Sequence, residues 1–233
     1  MKAFLLAAGH GTRLRPLTDN TAKCLLPIRG VPMLQIWLDT FRRFHIDEVL
    51  INIHAHAAAV RSYLQSHTDN GRVRVVEEEE LLGSAGTLLK NRDWVASEDC
   101  FWVFYADVLN QADFSAMLDV HRARRPAATI GAYRVPDPSR CGILHTAEDG
   151  TVIDFVEKPV HPCGNLAFSG LLLGTHALLD VIPAKQPSDL GFDVLPHLVG
   201  NMVAFPISEY LLDIGTVSNY QLAQKTWPEL TRQ

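Results

Sequence analysis

Apolar and polar positions follow two different periods in the first half of the chain. Short, nearly continuous apolar runs indicate strands covered on both faces. These strands are predicted at residues 2–8, 48–53, 73–77 and 101–105. Between them, apolar residues recur at helical spacing, which predicts helices at residues 32–44, 57–67, 85–92 and 113–124. Alternating strands and helices are typical of a parallel sheet with helices on both faces.

The second half of the chain has more strands and fewer helices. Strands are predicted at residues 128–135, 142–146, 152–156, 167–173 and 203–206. Helices are predicted at residues 177–182, 192–198 and 217–226. Successive strands with few helices between them favour an antiparallel elaboration of the same sheet. Because no Ser/Gly-rich linker separates the halves, we expect one α/β domain over residues 1–233.

Composition and charge narrow the class of protein. The chain has 233 residues, 47% of them hydrophobic, and a formal net charge of −5, which fits a folded domain and disfavours broad nucleic-acid binding. No apolar run reaches the length of a membrane span, and Arg13 follows the first run too closely for a signal peptide. Four cysteines without a C-x-x-C pair fit a reducing compartment. We therefore expect a cytoplasmic protein that binds neither nucleic acid nor a membrane.

A glycine-containing loop follows the first predicted strand. Gly9 and Gly11 permit backbone conformations that direct successive N–H groups toward an anion. Arg13 adds a planar guanidinium suited to phosphate, and Lys23 adds a compact charge. An ordinary strand-to-helix turn is the alternative. The dinucleotide fingerprint is excluded because Leu14 stands where its third glycine belongs, and the P-loop sequence Gly-Lys-Ser/Thr is absent.

Two aspartates and a run of four glutamates supply the candidate acidic groups. Asp107 and Asp213 each end an apolar segment, where a carboxylate can face the ligand crevice of an open α/β sheet. Together with phosphate oxygens they could hold Mg²⁺; alternatively, each caps a following turn or helix. Within residues 77–80, one glutamate could accept hydrogen bonds from guanine N1–H and N2–H₂, although acidic runs are usually solvated. That possibility favours GTP modestly.

These motifs together resemble a known family. The run Leu-Ala-Ala-Gly-x-Gly-Thr-Arg-Leu-x-Pro-Leu-Thr at 6–18, with Lys-x-Leu-Leu-Pro at 23–27, resembles the signature of sugar-1-phosphate nucleotidyltransferases. Short single-domain forms similar to mannose-1-phosphate guanylyltransferase are the nearest type. The resemblance continues through 82–86, Asp107, 157–159 and 212–216. It implies a Rossmann-like mixed sheet, mostly parallel and flanked by helices, whose antiparallel elaboration binds the sugar. A nucleotide-binding half would occupy about 1–125 and a sugar-phosphate-binding half about 126–225.

The resemblance also implies roles for individual residues. Arg13 and Lys23 would be catalytic, and Asp107 and Asp213 would bind Mg²⁺. The nucleotide would contact Leu6, Ala8, Gly9, Gly11, Thr12, Arg13, Lys23, Glu78, Gly83 and Ala85. The sugar phosphate would contact Gly142, Glu157, Lys158, Asn165 and Gly170. Judged from the residues alone, Glu157 and Lys158 are better explained as a solvated ion pair, and only their position in the family pattern favours the sugar-phosphate role.

The implied reaction is nucleotidyl transfer from a nucleoside triphosphate to a sugar 1-phosphate. GTP with a mannose- or heptose-type sugar is the first expectation, and UTP with a glucose- or N-acetylamino-sugar 1-phosphate is the alternative. Cytidylyl transfer to choline phosphate is a third possibility, although residues 83–86 resemble the sugar branch better. A catalytically inactive nucleotide-binding regulatory module is the hypothesis from another class. A monomer or a small homo-oligomer is expected.

Overall fold

The computed structural model describes residues 1–67 and 72–228, which contain thirteen strands and seven α-helices. The strands are β1 (Lys2–Leu6), β2 (Pro27–Ile28), β3 (Val31–Pro32), β4 (Glu48–Ile53), β5 (Val73–Glu77), β6 (Phe101–Tyr105), β7 (Val108–Asn110), β8 (Ala128–Arg134), β9 (Gly142–Thr146), β10 (Val152–Glu157), β11 (Leu166–Gly174), β12 (Met202–Pro206) and β13 (Leu211–Asp213). The helices are α1 (Met33–Arg43), α2 (Ala57–His67), α3 (Gly83–Lys90), α4 (Phe114–Arg124), α5 (His176–Asp180), α6 (Leu190–Asp193) and α7 (Val217–Thr226).

One mixed sheet organises the molecule. Its parallel part has the order β5-β4-β1-β6, so the carboxyl ends of these four strands meet at one edge. Beyond β6 the pairing becomes antiparallel through β11, which also pairs with β8 and β9. β10 lies outside β9, and β12 pairs with β8 in parallel. The expected mixed α/β sheet with an antiparallel elaboration is confirmed.

Alternating side chains along the strands build an apolar layer on each face of the sheet. In β1, Ala3 and Leu5 join one layer, whereas Phe4 joins the other. The first layer contains the aromatic group Trp37, Phe41, Trp102, Phe104 and Phe114. Trp37 also donates a hydrogen bond from Nε1 to the carbonyl oxygen of Ala106 at 3.2 Å. The core thereby fixes the segment that leads into Asp107.

Most predicted elements are confirmed, and some have the predicted bounds, including β4, β5, β6, β9, α2 and α7. The single helix predicted at 192–198 is wrong. The chain instead forms α6, leaves helical geometry at Val194 and makes a separate 3₁₀ turn over Leu195–Leu198. Pro196 has no N–H to donate, so it cannot extend the hydrogen-bond ladder of α6. The short strands β7 and β13 were not predicted.

In the part of the chain that the structure describes, no helix combines the length and apolar character needed to cross a bilayer.

Candidate active site

The glycine loop after β1 is held in place by backbone and side-chain contacts. Gly11 adopts a left-handed conformation with φ 66°, and a Cβ there would lie 2.9 Å from Thr18 Cγ2. The Thr18 hydroxyl donates to the Gly11 carbonyl oxygen at 2.8 Å. Because both the dihedral angle and the close approach exclude a side chain, glycine is required at this position. The loop is thus shaped before any ligand arrives.

A cavity of about 440 Å³ opens beside this loop. It lies at the carboxyl edge of the parallel strands, where open α/β sheets bind ligands. Nine of the predicted nucleotide-binding residues line it, namely Leu6, Ala8, Gly9, Gly11, Thr12, Arg13, Lys23, Glu78 and Gly83. Asp107 lines it as well.

Ala85, the remaining predicted nucleotide-binding residue, does not line the cavity. It is fully buried, and its N–H donates to the carbonyl oxygen of Ser188 at 3.0 Å. Gly86 N–H points to the same carbonyl oxygen at 3.3 Å. The Ser188 carbonyl oxygen therefore caps the N-terminus of α3. The N–H groups of Ala85 and Gly86 bond within the protein and are not available to a ligand.

A buried polar network stands behind the cavity. Asn52 Nδ2 donates to Glu78 Oε1 at 2.9 Å and to Thr87 Oγ1 at 3.0 Å, and Thr87 Oγ1 donates to Glu78 Oε1 at 2.5 Å. Asn52 Oδ1 accepts from the N–H of Ala7 at 2.8 Å, and Glu78 Oε2 accepts from the N–H of Leu82 at 3.1 Å. The network ties the glycine loop to α3. The Glu78 carboxylate is directed into this network, so the expected pairing of a glutamate with guanine has no support from its geometry.

Four charged side chains from separate parts of the sequence lie close together: Arg13, Lys23 and Asp107 line the cavity, and Asp213 lies beside them, next to Gly215. Lys23 Nζ donates a short hydrogen bond to Asp107 Oδ2. A Cβ at Gly215, which lines the cavity, would lie 2.8 Å from both Arg13 Nη2 and Asp213 Oδ1. The pairing of β7 with β13 brings Asp213 opposite Val108, and Ile214 N–H donates to the Asp107 carbonyl oxygen at 2.9 Å. The structure therefore places Arg13, Lys23, Asp107 and Asp213 together.

The electrostatics of Asp213 reflect this crowding. Burial raises the pKa of the Asp213 carboxyl, and the neighbouring carboxylate of Asp107 raises it further. The Gly215 N–H, at 2.5 Å from Asp213 Oδ1, acts in the opposite direction, as do the charges of Lys23 and Arg13. Two carboxylates side by side form a site that favours a cation.

The carboxylates of Asp107 and Asp213 are the candidate ligands for a divalent metal. Over residues 1–67 and 72–228, no three His, Cys, Asp or Glu side chains group closely enough to hold a metal by themselves. Asp107 and Asp213 each engage one carboxylate oxygen in the contacts above, which leaves the second oxygen of each for a cation. Mg²⁺ is commonly held by one or two carboxylates with substrate phosphates and water. The pair fits a metal that arrives with a phosphorylated ligand.

Cys24, the neighbour of Lys23, is not a candidate nucleophile. Its thiol is buried, and burial raises its pKa to about 12. A thiol with such a pKa stays protonated near neutral pH and is unreactive.

A second polar group lies outside the cavity, at the end of β10. Gly142 pairs with Glu157 in register, and a Cβ on Gly142 would lie 2.6 Å from Glu157 Oε2. A Cβ on Gly191 of α6 would lie 2.4 Å from the same oxygen. Burial raises the pKa of the Glu157 carboxyl, partly offset by Lys158, whose Nζ lies 3.2 Å from Glu157 Oε1. The structure thus brings Gly142, Glu157 and Lys158 together.

Asn165 and Gly170, the other predicted sugar-phosphate residues, occupy different surroundings. Asn165 is exposed, and its Oδ1 accepts from Arg134 Nη1 at 2.7 Å. Gly170 is buried in β11 with φ +77°, and a Cβ there would lie 3.2 Å from Tyr105 Cβ. Neither lines the cavity. Gly170 provides the space in which Tyr105 packs.

Side chains that sequence reasoning missed connect the cavity with Glu157. Ser84 lines the cavity, donates to Asp189 Oδ2 at 2.9 Å and accepts from Leu190 N–H at 2.8 Å. Tyr105 also lines the cavity; burial raises its pKa, and the nearby charge of Asp189 adds to the effect. A usable signal existed for Asn52, which is a lone amide inside the apolar run of β4. No sequence pattern indicates the role of Gly191, because that role is to leave space for the side chain of Glu157.

The fold and this site define an α/β domain with a charged cavity at the carboxyl edge of its parallel strands. Comparison with known proteins gives the family: residues 2–229 match the model of the nucleotidyl transferase family, to which the chain belongs. The region holding Arg13, Lys23, Asp107 and Asp213 lies within the matched residues.

Individual relatives carry related names. A mannose-1-phosphate guanyltransferase of Candida albicans is 30% identical over 227 residues, with 94% of this chain and 62% of the relative covered. A UTP--glucose-1-phosphate uridylyltransferase of Synechocystis is 30% identical over 238 residues, with coverage of 94% and 61%. The chain therefore spans about three fifths of the length of these curated relatives. A Bacillus anthracis protein assigned as a glucose-1-phosphate thymidylyltransferase and solved with sucrose superposes with a TM-score of 0.85 at 25% identity, covering 97% of this chain and 94% of that one.

Proposed function

We propose that the protein transfers a nucleotidyl group from a nucleoside triphosphate to a sugar 1-phosphate, with release of pyrophosphate. The observation that carries this proposal is the grouping of Arg13, Lys23 and Asp107 at one cavity beside a preformed glycine loop, with Asp213 next to them. The volume of about 440 Å³ lies within the range of small-molecule sites. Names of relatives that act on sugar 1-phosphates support the substrate class.

The nucleotide half, about residues 1–125, would hold the triphosphate by backbone and cationic contacts. N–H groups of the loop between Gly9 and Gly11 would face the phosphate oxygens, since such backbone concavities bind anions. Arg13 would engage the β- and γ-phosphates, because a guanidinium matches two phosphate oxygens at once. Lys23 would lie near the α-phosphate, where the incoming phosphate also arrives. Its ion pair with Asp107 holds its ammonium group in position.

The reaction requires no general base from the protein. A phosphate monoester has its second pKa at about 6, so it is already largely dianionic at neutral pH. One of its oxygens attacks the α-phosphorus, the new P–O bond forms, and the bond from the α-phosphorus to the bridging oxygen of the β-phosphate breaks. Pyrophosphate leaves with that electron pair. Positioning and neutralisation of charge by Arg13 and Lys23 supply the catalysis.

Asp107 and Asp213 would hold Mg²⁺ together with phosphate oxygens of the nucleotide. The ion, when bound, neutralises charge on the triphosphate and its leaving group. The two carboxylates lie side by side because β7 pairs with β13, which brings Asp213 opposite Val108, the residue after Asp107.

The sugar-phosphate half, about residues 126–225, would bind the acceptor. Glu157 would accept hydrogen bonds from sugar hydroxyls, because an ionised carboxylate is a strong acceptor. Lys158 would neutralise the phosphate of the sugar 1-phosphate. Because Gly142 and Gly191 have no Cβ, they leave room for the Glu157 carboxylate between them.

For the base we propose GTP first and UTP second. Support for GTP comes from relatives named as mannose-1-phosphate guanylyltransferases, and support for UTP comes from the uridylyltransferase of Synechocystis. A mannose- or heptose-type sugar 1-phosphate accompanies the first proposal, and a glucose-type sugar accompanies the second.

The test is pyrophosphate release with Mg²⁺, each of the four nucleoside triphosphates and a panel of sugar 1-phosphates. Release that depends on one triphosphate and one sugar supports the proposal. Tight triphosphate binding with no release in any combination would instead favour the inactive regulatory module. Sedimentation of the same sample would test the proposed monomer or small homo-oligomer.

A further inference from the structure

Phe192 is a large apolar side chain left in solvent beside the proposed sugar site. It is 54% exposed, although single exposed apolar residues are common and mean little alone. It follows Gly191, where a Cβ would lie 2.4 Å from Oε2 of the Glu157 carboxylate. Its position next to that carboxylate distinguishes it from scattered surface residues.

Lys158 is the second neighbour of Phe192. The ammonium nitrogen of Lys158 lies 5.1 Å from the centroid of the Phe192 ring and 3.2 Å from Glu157 Oε1. A carboxylate, a cation and an aromatic face therefore adjoin one another. We refer to Glu157, Lys158 and Phe192 as the acceptor wall.

The ring is held relative to the cavity by the short helix α6. Asp189 caps this helix by accepting from the N–H groups of Gly191 at 2.8 Å and Phe192 at 3.2 Å. The other carboxylate oxygen of Asp189 accepts from Ser84, which lines the cavity. Through Ser84 and Asp189, the backbone that carries Phe192 is anchored to the proposed nucleotide site.

We propose that Phe192 determines specificity for the acceptor by stacking against the C–H face of a pyranose ring. Sugars present faces of C–H groups between their hydroxyls, and the negative face of an aromatic ring attracts them while apolar area is buried. In the acceptor wall, Glu157 accepts hydrogen bonds from the sugar hydroxyls, Lys158 binds the phosphate, and Phe192 stacks against the sugar ring. This inference rests on the proposed function for its substrate class.

The first test is a comparison of Michaelis constants. Phe192→Ala should raise the KM for the sugar 1-phosphate about five- to tenfold, as expected for loss of one aromatic contact, and leave the KM for the triphosphate within about twofold. Phe192→Tyr should restore the wild-type value, because its ring face is retained. Leu222→Ala is the matched control, since Leu222 is 45% exposed on α7. An unchanged KM for the sugar, or an equal rise in both constants, would overturn the proposal.

The second test does not need turnover, so it separates this inference from the proposed function. Phe192→Trp places an indole in the acceptor wall, and Leu222→Trp places one elsewhere. Mannose 1-phosphate and glucose 1-phosphate are titrated against both variants, with and without a non-hydrolysable GTP analogue, and inorganic phosphate is titrated separately. A saturable fluorescence change only in Phe192→Trp, and with a sugar 1-phosphate rather than with phosphate, supports stacking even if wild type releases no pyrophosphate.

Two results of these experiments would contradict the inference. One is a response to inorganic phosphate equal to that of the sugar 1-phosphates, since that response needs only Lys158. The other is a change in sedimentation of Phe192→Ala with an unaltered KM for the sugar, since the ring would then belong to a contact between proteins.

Discussion

The two proposed halves of the site are built on different principles. On the nucleotide side, the glycine loop, Arg13 and Lys23 come from one short stretch after β1 and are secured by the buried network of Asn52. On the acceptor side, the groups come from β9, β10 and α6, and Lys158 and Phe192 are more than half exposed. Under the proposed function, the phosphates would be bound by the glycine loop with Arg13 and Lys23, whereas the sugar would be bound by side chains at the surface. The difference indicates that acceptor preference can change without alteration of the fold.

The largest effect should come from the nucleotide side. Asp107→Asn and Asp213→Asn should each lower the rate of pyrophosphate release by at least about a hundredfold, because under the proposed function each carboxylate would hold the metal that stabilises the reacting phosphates. Folding should be unaffected, as measured by circular dichroism and thermal unfolding. Asp119→Asn, at an exposed position on α4, is the control. Wild-type release by either site variant would remove that aspartate from the site.

The second effect tests whether the nucleotide side depends on its buried network. Asn52→Ala leaves the Ala7 N–H and part of the Glu78 carboxylate without their partner. The free energy of unfolding should fall by about 1–3 kcal/mol, the usual cost of an unsatisfied buried group. The KM for the triphosphate should rise while the KM for the sugar changes little.

Asn91→Ala serves as the control for the Asn52 variant. Asn91 donates to the Thr87 carbonyl oxygen at 2.9 Å but takes no part in the carboxylate network. Urea unfolding and initial rates should therefore show a smaller loss of stability and an unchanged KM for the triphosphate. If both variants lost the same stability and had the same KM for the triphosphate, the buried network of Asn52 would not be what positions the glycine loop.

A third prediction concerns space on the acceptor side. Gly191→Ala places a Cβ 2.4 Å from Glu157 Oε2, so the carboxylate must move. The KM for the sugar 1-phosphate should rise several-fold, and the free energy of unfolding should fall by about 1–3 kcal/mol, the usual cost of overpacking. In a Glu157→Asp background the shorter side chain makes room, so the same substitution should have less effect. Additive effects in this double-mutant cycle would contradict the steric explanation.

The smallest effect concerns pH. Burial raises the pKa of Glu157 above its value in the unfolded chain, so its contribution to stability is complete below the unfolded pKa of about 4.3 and is lost as pH rises through the folded pKa. Glu157→Gln should therefore be more stable than wild type at pH 7 and lose this advantage toward pH 4. Urea midpoints across this range measure it, with Glu148→Gln at an exposed position as the control. A constant difference across the range would exclude ionisation as its cause.

The sequence was a good guide where chemistry is local and a poor one where it depends on packing. The apolar runs of β4 and β6, and the glycine loop with Arg13 and Lys23, could be identified because each is a continuous pattern. β7 and β13 span three residues each, too few for a period to appear. The direction of the Glu78 carboxylate depends on Asn52 and Thr87, which lie on other elements, and no spacing in the sequence records it.

Cys24 offers a practical advantage that follows from its burial. With a pKa of about 12, this thiol should resist alkylating reagents at neutral pH, whereas Cys163 is exposed. A maleimide dye should thus attach at Cys163 well before it reaches Cys24. Such a label would leave the surroundings of Lys23, the neighbour of Cys24, chemically unmodified.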